Sequence, residues 1–181
     1  MEVNAKRIPL SKGLFAWVSE EDFDRVSKYK WHANLTKTKR GDFYYARGWI
    51  PKEEVNSSAT LSQKGTLRHI LLHRFVLNLP DEIRVDHEDL DCLNCTRSNL
   101  RVATNAENLA NSKVKGKAFY KGVGRISINC YEVVALWKVG LPYCFKEPIQ
   151  AAKAYDDYAR EKYGKFARLN FPLPGERSAL R

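Results

Sequence analysis

The sequence predicts an α+β fold, and three observations carry that prediction. A run with strand-like alternation at 8–18 and an aromatic-rich run at 43–49 read as strands of a small N-terminal β region. A short strand, a long polar turn, a return strand and a helix fill 83–112. Three runs rich in β-branched and aromatic residues, at 120–128, 131–139 and 143–145, precede one amphipathic helix, which gives a C-terminal three-stranded antiparallel sheet packed on that helix. With 181 residues the chain can bury its own core without disulfides or a structural metal.

Each element has a local reason. Ser19, with Asp22 three residues on, opens a capping box for a helix ending near Lys30, and Trp31 packs beneath it. Gly41 and Asp42 make the turn before the strand Phe43 to Trp49. Residues 51–66 are polar and read as a loop. The apolar stretch 67–79 reads as a helix closed by Pro80. Ile83 to His87 is a strand, 88–98 a turn, and 100–103 its return. Thr104 and Glu107 cap a helix that runs to about Ser112. Residues 113–117 read as a basic linker. Pro148 sits in the first turn of the last helix, whose apolar face is Ile149, Ala152, Tyr155, Ala159 and Tyr163, with Gly164 as its C-terminal cap. Pro172 and Pro174 end the order. The expected divisions are 1–66, a basic N-terminal β extension; 67–112, the central unit; 113–117, the linker; 118–172, the C-terminal domain; and 173–181, a tail.

Charge narrows the function. The chain has 31 Lys+Arg and 21 Asp+Glu, net +10. Residues 1–80 are net +6 and 113–181 net +8, while 81–112 are net −4. Basic flanks suit a polyanion, because each neutralised phosphate releases counterions. An acidic centre suits a cation. No apolar run approaches a membrane span, no secretory signal is visible, and four cysteines are too few for a disulfide scaffold. The expectation is a cytoplasmic protein with no membrane partner, not secreted.

In the acidic centre, Asp86 and His87 end a strand, Asn99 follows the turn, and Asn108 lies on the helix. A strand–turn–helix unit can bring Asp86 and Asn108 to one hard cation as oxygen ligands, since Mg²⁺ takes only one or two protein oxygens and keeps its waters. His87, a neutral imidazole, suits a general base near pH 7. The Asn99 amide ties the turn backbone and fixes the imidazole.

The stretch VDHEDLDCLNCTRSNLRVATNAENLAN resembles the HNH nucleases of the ββα-metal type, and closely their phage homing-endonuclease branch. The matching pieces are Asp86-His87, Asn99-Leu100, and Asn108 with Asn111, spaced 13 residues from Asp86 to Asn99 and 9 more to Asn108. His73-Arg74 also resembles a family feature. The resemblance implies Asp86 and Asn108 as metal ligands, His87 as general base, and Asn99 as the loop-organising residue. His73 and Asn111 are secondary candidates. It implies one divalent ion, Mg²⁺ or Mn²⁺, double-stranded DNA as partner, and a bacterial or phage gene. Cys92 and Cys95 form a C-x-x-C, but without a second close pair zinc is not expected.

Residues 118–171 resemble the ethylene-response-factor/APETALA DNA-binding domain, which also occurs fused to HNH nucleases. The resemblance rests on Tyr120-Lys121-Gly122-Val123, Ala135, Phe145, Ala151-Ala152, Ala154-Tyr155-Asp156 and Leu169-Asn170-Phe171-Pro172. The family's Arg after Gly-Val is Gly124 here, with Arg125 next, and its strand-two Trp is Val133. The resemblance implies a sheet in the major groove, with Lys121, Arg125, Trp137 and Lys138 on its strands. Arg97 and Arg101 are further DNA-contact candidates, and Lys37, Lys39, Arg40 and Arg47 phosphate-contact candidates.

The sequence thus points to a metal-dependent HNH DNA endonuclease that leaves 5′-phosphate and 3′-hydroxyl ends. The alternatives are a non-catalytic DNA-binding transcriptional regulator with a relic nuclease fold, and an RNA-binding structural protein.

Overall fold

The computed structural model describes residues 4–38, 41–56, 65–114, 116, 118–133 and 144–180. It is an α+β protein of small, mostly antiparallel sheets with few helices. It divides into two compact units, residues 1–104 and 105–181.

In the first unit, β1 (Ala5–Pro9) and β2 (Phe15–Ser19) form an antiparallel hairpin with Ile8 opposite Ala16. The two-residue period turns Ile8, Ala16 and Val18 into the core. Helix α1 (Glu20–Ser27) follows at once. Ser19 is its N-cap residue but makes no capping bond; its Oγ accepts the backbone N–H of Arg97 at 2.9 Å. Asp22 is buried and accepts from the guanidinium groups of Arg97 and Arg25. The expected capping box is therefore replaced by tertiary bonds. A buried carboxylate is held by charged partners, and three acids in the first turn already favour the helix start.

Strands β3 (Trp31–Thr38), β4 (Gly41–Pro51) and β5 (Leu67–Leu71) make an antiparallel sheet in that order. Gly48 is required by close approach: a Cβ there would lie 3.0 Å from the Trp31 ring and 3.1 Å from the Lys30 carbonyl. The stretch 67–79, expected as one helix, is β5 and then α2 (Leu72–Leu77). Its first five residues pair with Arg47–Pro51 of β4, and ladder bonds to an open strand edge outweigh a local apolar pattern that fits either state. Asn78 ends α2 in the left-handed region, its N–H bonded to the Arg74 carbonyl.

Strands β6 (Val85–His87) and β7 (Leu100–Val102) form a short antiparallel pair. The intervening loop is pinned to β2, with Trp17 N–H donating to the Leu93 carbonyl and Cys95 N–H to the Trp17 carbonyl. One core holds the unit. Phe75 packs on the Trp31 ring, and Ile8, Val18, Val26, Ile50, Ile70, Leu72, Cys95 and Leu100 belong to the same buried cluster. The N-terminal strands share this core with residues 67–100.

The second unit contains α3 (Asn105–Ala110), β8 (Val123–Ser127), β9 (Cys130–Val133), α4 (Pro148–Tyr163), β10 (Arg168–Leu169) and β11 (Arg177–Ser178). Strands β8 and β9 are antiparallel, and Tyr131 exchanges both backbone bonds with Phe145. Residues 134–143 of the expected meander lie outside the described residues. Cys130 and Cys144 are disulfide-bonded. Val133, Ala151, Tyr155, Ala159, Ala167 and Leu169 form the core. Gly122, at φ +75°, lies against Tyr155, whose ring a Cβ would meet at 2.1 Å. Asp156 is buried and accepts from the N–H groups of Asn170 and Phe171, while Asn170 Oδ1 accepts the Lys121 N–H. The chain stays ordered beyond the prolines: β11 runs parallel to β10, and Ala179 is buried.

Candidate active site

Asp86 and His87 are consecutive in β6, so their side chains leave opposite faces. Asp86 lies opposite Arg101 of β7, whose Nε and Nη2 donate to its Oδ2 at 2.9 and 2.7 Å. Both groups are withdrawn from water, at 3% and 10% side-chain exposure.

His87 is buried on the other face. Its ring meets His73 of α2 edge-on, at 4.9 Å between centroids and 88° between planes. Tyr45 of β4 flanks both imidazoles, at 6.1 and 6.4 Å. The Tyr45 hydroxyl bonds Cys92, and burial pushes its ionisation well up. Burial lowers both histidines below the ordinary value of 6.5, but their electrical surroundings differ. The full charges that act on His73 after burial are those of Arg74 and Arg47, with His87 adding to them only in its protonated form. Those on His87 are the carboxylates of Asp89, Asp86 and Asp91, which oppose the effect of burial. The site thus has a cationic side and an anionic side that meet at the imidazole pair.

Asn99 ties the loop between the strands. Its Nδ2 donates to Asp89 Oδ1 and to the Asn94 carbonyl, and its Oδ1 accepts the Asp89 N–H, all within 3.0 Å. Arg74 braces the approach to β6 by donating to the carbonyls of Pro80 and Ile83. Cys95 is in the core, and burial pushes both its thiol and that of Cys92 up.

Asn108 falls on α3, in the second unit. Asn111, just past that helix, is fully buried and its Oδ1 accepts from Arg168 and Arg177. Among the described residues no three His, Cys, Asp or Glu side chains converge on a metal position. A Mg²⁺ ion that keeps most of its waters needs no such cluster, and a carboxylate such as that of Asp86 is the oxygen donor that a hard ion takes. The donor chemistry therefore fits a hard ion.

Two cations expected on DNA, Lys121 and Arg101, are withdrawn into the protein, while a third, Arg97, is paired but stays exposed. Lys121 is buried, its ammonium donating to the carbonyls of Ala110 and Arg168. Arg97 holds Asp22, and Arg101 holds Asp86. Each sits opposite a buried acceptor that a sequence does not reveal. Arg125 is exposed on β8, with Nε donating to the Ser127 carbonyl. Trp137 and Lys138, like Lys39, Arg40 and Ala135, lie outside the described residues. Sequence reasoning missed Tyr45 and Asp22. The sequence put Tyr45 on a strand, but nothing local said which residues would meet it.

No family model matches the chain, and no solved structure matches it. A curated relative does: an uncharacterized HNH endonuclease of Acanthamoeba polyphaga mimivirus, 34% identical over 168 residues that span 88% of this chain and 76% of the relative. At that identity, over most of both proteins, the chain belongs to the HNH endonuclease family.

Proposed function

We propose that this protein is a metal-dependent DNA endonuclease that cuts phosphodiester bonds to 5′-phosphate and 3′-hydroxyl ends, with β6, β7 and their loop as its active site. The observation that carries this reading is the placement of His87, a buried imidazole with a wall of His73 and Tyr45 and with acids Asp86, Asp89 and Asp91 acting on it. Burial favours the neutral ring, which is the form that accepts a proton. His87 takes a proton from the attacking water. Asn99 fixes the loop that follows His87, and His73 and Tyr45 limit the tilt of its ring. Asp86 would hold one Mg²⁺ or Mn²⁺ together with waters, and the bound ion would supply positive charge at the phosphate. Arg101 orients the Asp86 carboxylate.

The second unit, through its resemblance to ethylene-response-factor/APETALA domains, is proposed to dock double-stranded DNA by its β8–β9 surface, with Arg125 on the backbone. Plasmid nicking tests the reading. The wild type nicks in Mg²⁺ and not in EDTA. His87→Ala loses roughly 10²- to 10⁴-fold in rate while DNA binding survives. If His87→Ala nicks as fast as wild type, the assignment is wrong. If the wild type binds duplex but never nicks, the protein is a DNA-binding regulator.

A further inference from the structure

The outer face of the β3–β4–β5 sheet carries side chains that the core does not use. The register puts His32, Arg47 and Leu71 in one row across the strands, and Trp49 beside His69 in the next. Side chains two apart on β4 share a face, so Tyr45, Arg47 and Trp49 form one line. Tyr45, at one end of it, touches the His73 and His87 rings. Arg47 is about 6.8 Å further along the strand.

Two features of this face call for a ligand. The first is charge. Arg47 is half-buried, yet among the described residues it makes no ion pair and no side-chain hydrogen bond. The charges acting on His69 are those of Arg47 and His32, and Arg47 also acts on His73. Arg47, with His32 beside it and no acid in either cross-strand row, offers a seat for an anion. A guanidinium with unused donors fits a phosphate in two-pronged fashion. The second is the Trp49–His69 pair, stacked at 4.7 Å and 20°, with Trp49 43% exposed. A flat aromatic open to solvent beside a phosphate seat matches the way proteins hold single strands, by stacking bases over a cationic track.

We propose that this face is a DNA subsite in which Arg47 grips the backbone phosphate next to the one His87 faces, and the Trp49–His69 stack takes an unstacked base of the same strand. The subsite rests on the nuclease reading for its place relative to the cut, and it makes the substrate a locally opened or distorted DNA strand. An acidic protein segment would use Arg47 but leave the aromatic stack idle.

The test uses the full chain in EDTA, so that nothing is cut, with a short fluorescein-labelled single-stranded DNA and the same sequence as duplex. The single strand is expected to quench tryptophan emission. Trp49→Phe should abolish most of that quenching and weaken single-strand binding about five- to hundredfold, the range for one stacked base. Trp17→Phe should leave it. Arg47→Gln should weaken both DNAs and lower the salt slope by about one. Where Gln disturbs the sheet, Arg47→Lys keeps the slope and loses the forked bond, with severalfold weaker binding. Quenching and affinity unchanged in Trp49→Phe, or an unchanged slope in Arg47→Gln, overturn the subsite. If those variants bind and nick as wild type while His87→Ala does not nick, the subsite falls and the nuclease stands. If no protein nicks but quenching follows Trp49, the subsite stands as a binding site and the nuclease reading falls.

Discussion

His73 and His87, 14 residues apart in the chain, meet edge-on with 4.9 Å between ring centroids, and the two sides of the candidate site join at that contact. His73 approaches from α2, His87 from β6, and Tyr45 closes the group from β4. Three elements of one unit thus define the orientation of a single imidazole.

That burial makes stability depend on pH. The folded state holds His73 far below its ordinary 6.5, with burial the main cause and the cations around it adding to the effect. In the unfolded chain His73 takes a proton as pH falls through about 6.5. The unfolded state then binds more protons than the folded one, so stability rises with pH in this window and is lost as pH falls below it. Urea midpoints measured from pH 7.5 to 5.5 should fall for wild type and fall less for His73→Gln. Parallel curves for the two proteins would rule out His73 as the source.

The Asp86–Arg101 pair is buried, so removing one partner strands the other. Arg101→Ala should cost about 3–5 kcal/mol, measured by denaturant unfolding. Arg101→Met with Asp86→Asn should recover part of that loss. A cost below about 1 kcal/mol for Arg101→Ala would mean that the pair behaves like an exposed one.

Asn99→Ala removes three hydrogen bonds within the loop after β6. At about 1 kcal/mol each, the loss is on the order of 2–3 kcal/mol. Amide exchange should accelerate over 88–95 before it does in β3 or β4, and nicking should slow while duplex affinity changes little. Exchange that rises uniformly across the unit would point to global destabilisation instead.

In the second unit, Gly122→Ala would drive a methyl into the Tyr155 ring at a backbone angle that disfavours a side chain. Strain and overpacking together should cost roughly 3–5 kcal/mol. Thermal unfolding should show the loss. Gly124→Ala meets only the flexible Glu132 side chain and should be milder. Equal melting temperatures for the two would remove the close-packing argument.

The sequence by itself determined the α+β class, the strand that ends in Asp86-His87, and the spacing of Asn99 and Asn108 behind it, because these depend on periodicity and order along the chain. It also marked Gly122, Asp156 and Asn170 as a matching set, though not that they share one buried network. Tertiary structure alone decided which cations face solvent. Lys121 and Arg101 are held inside by carbonyls and a carboxylate from other elements, whereas Arg97 pairs with Asp22 while staying exposed and Arg47 is half-buried with no ion pair among the described residues. The wall of His73 and Tyr45 beside His87 is likewise a product of pairing β5 with β4, where the local apolar pattern reads as helix. The reason is physical: a charged side chain's role is set by the dielectric and the partners around it, and both come from residues far away in the chain.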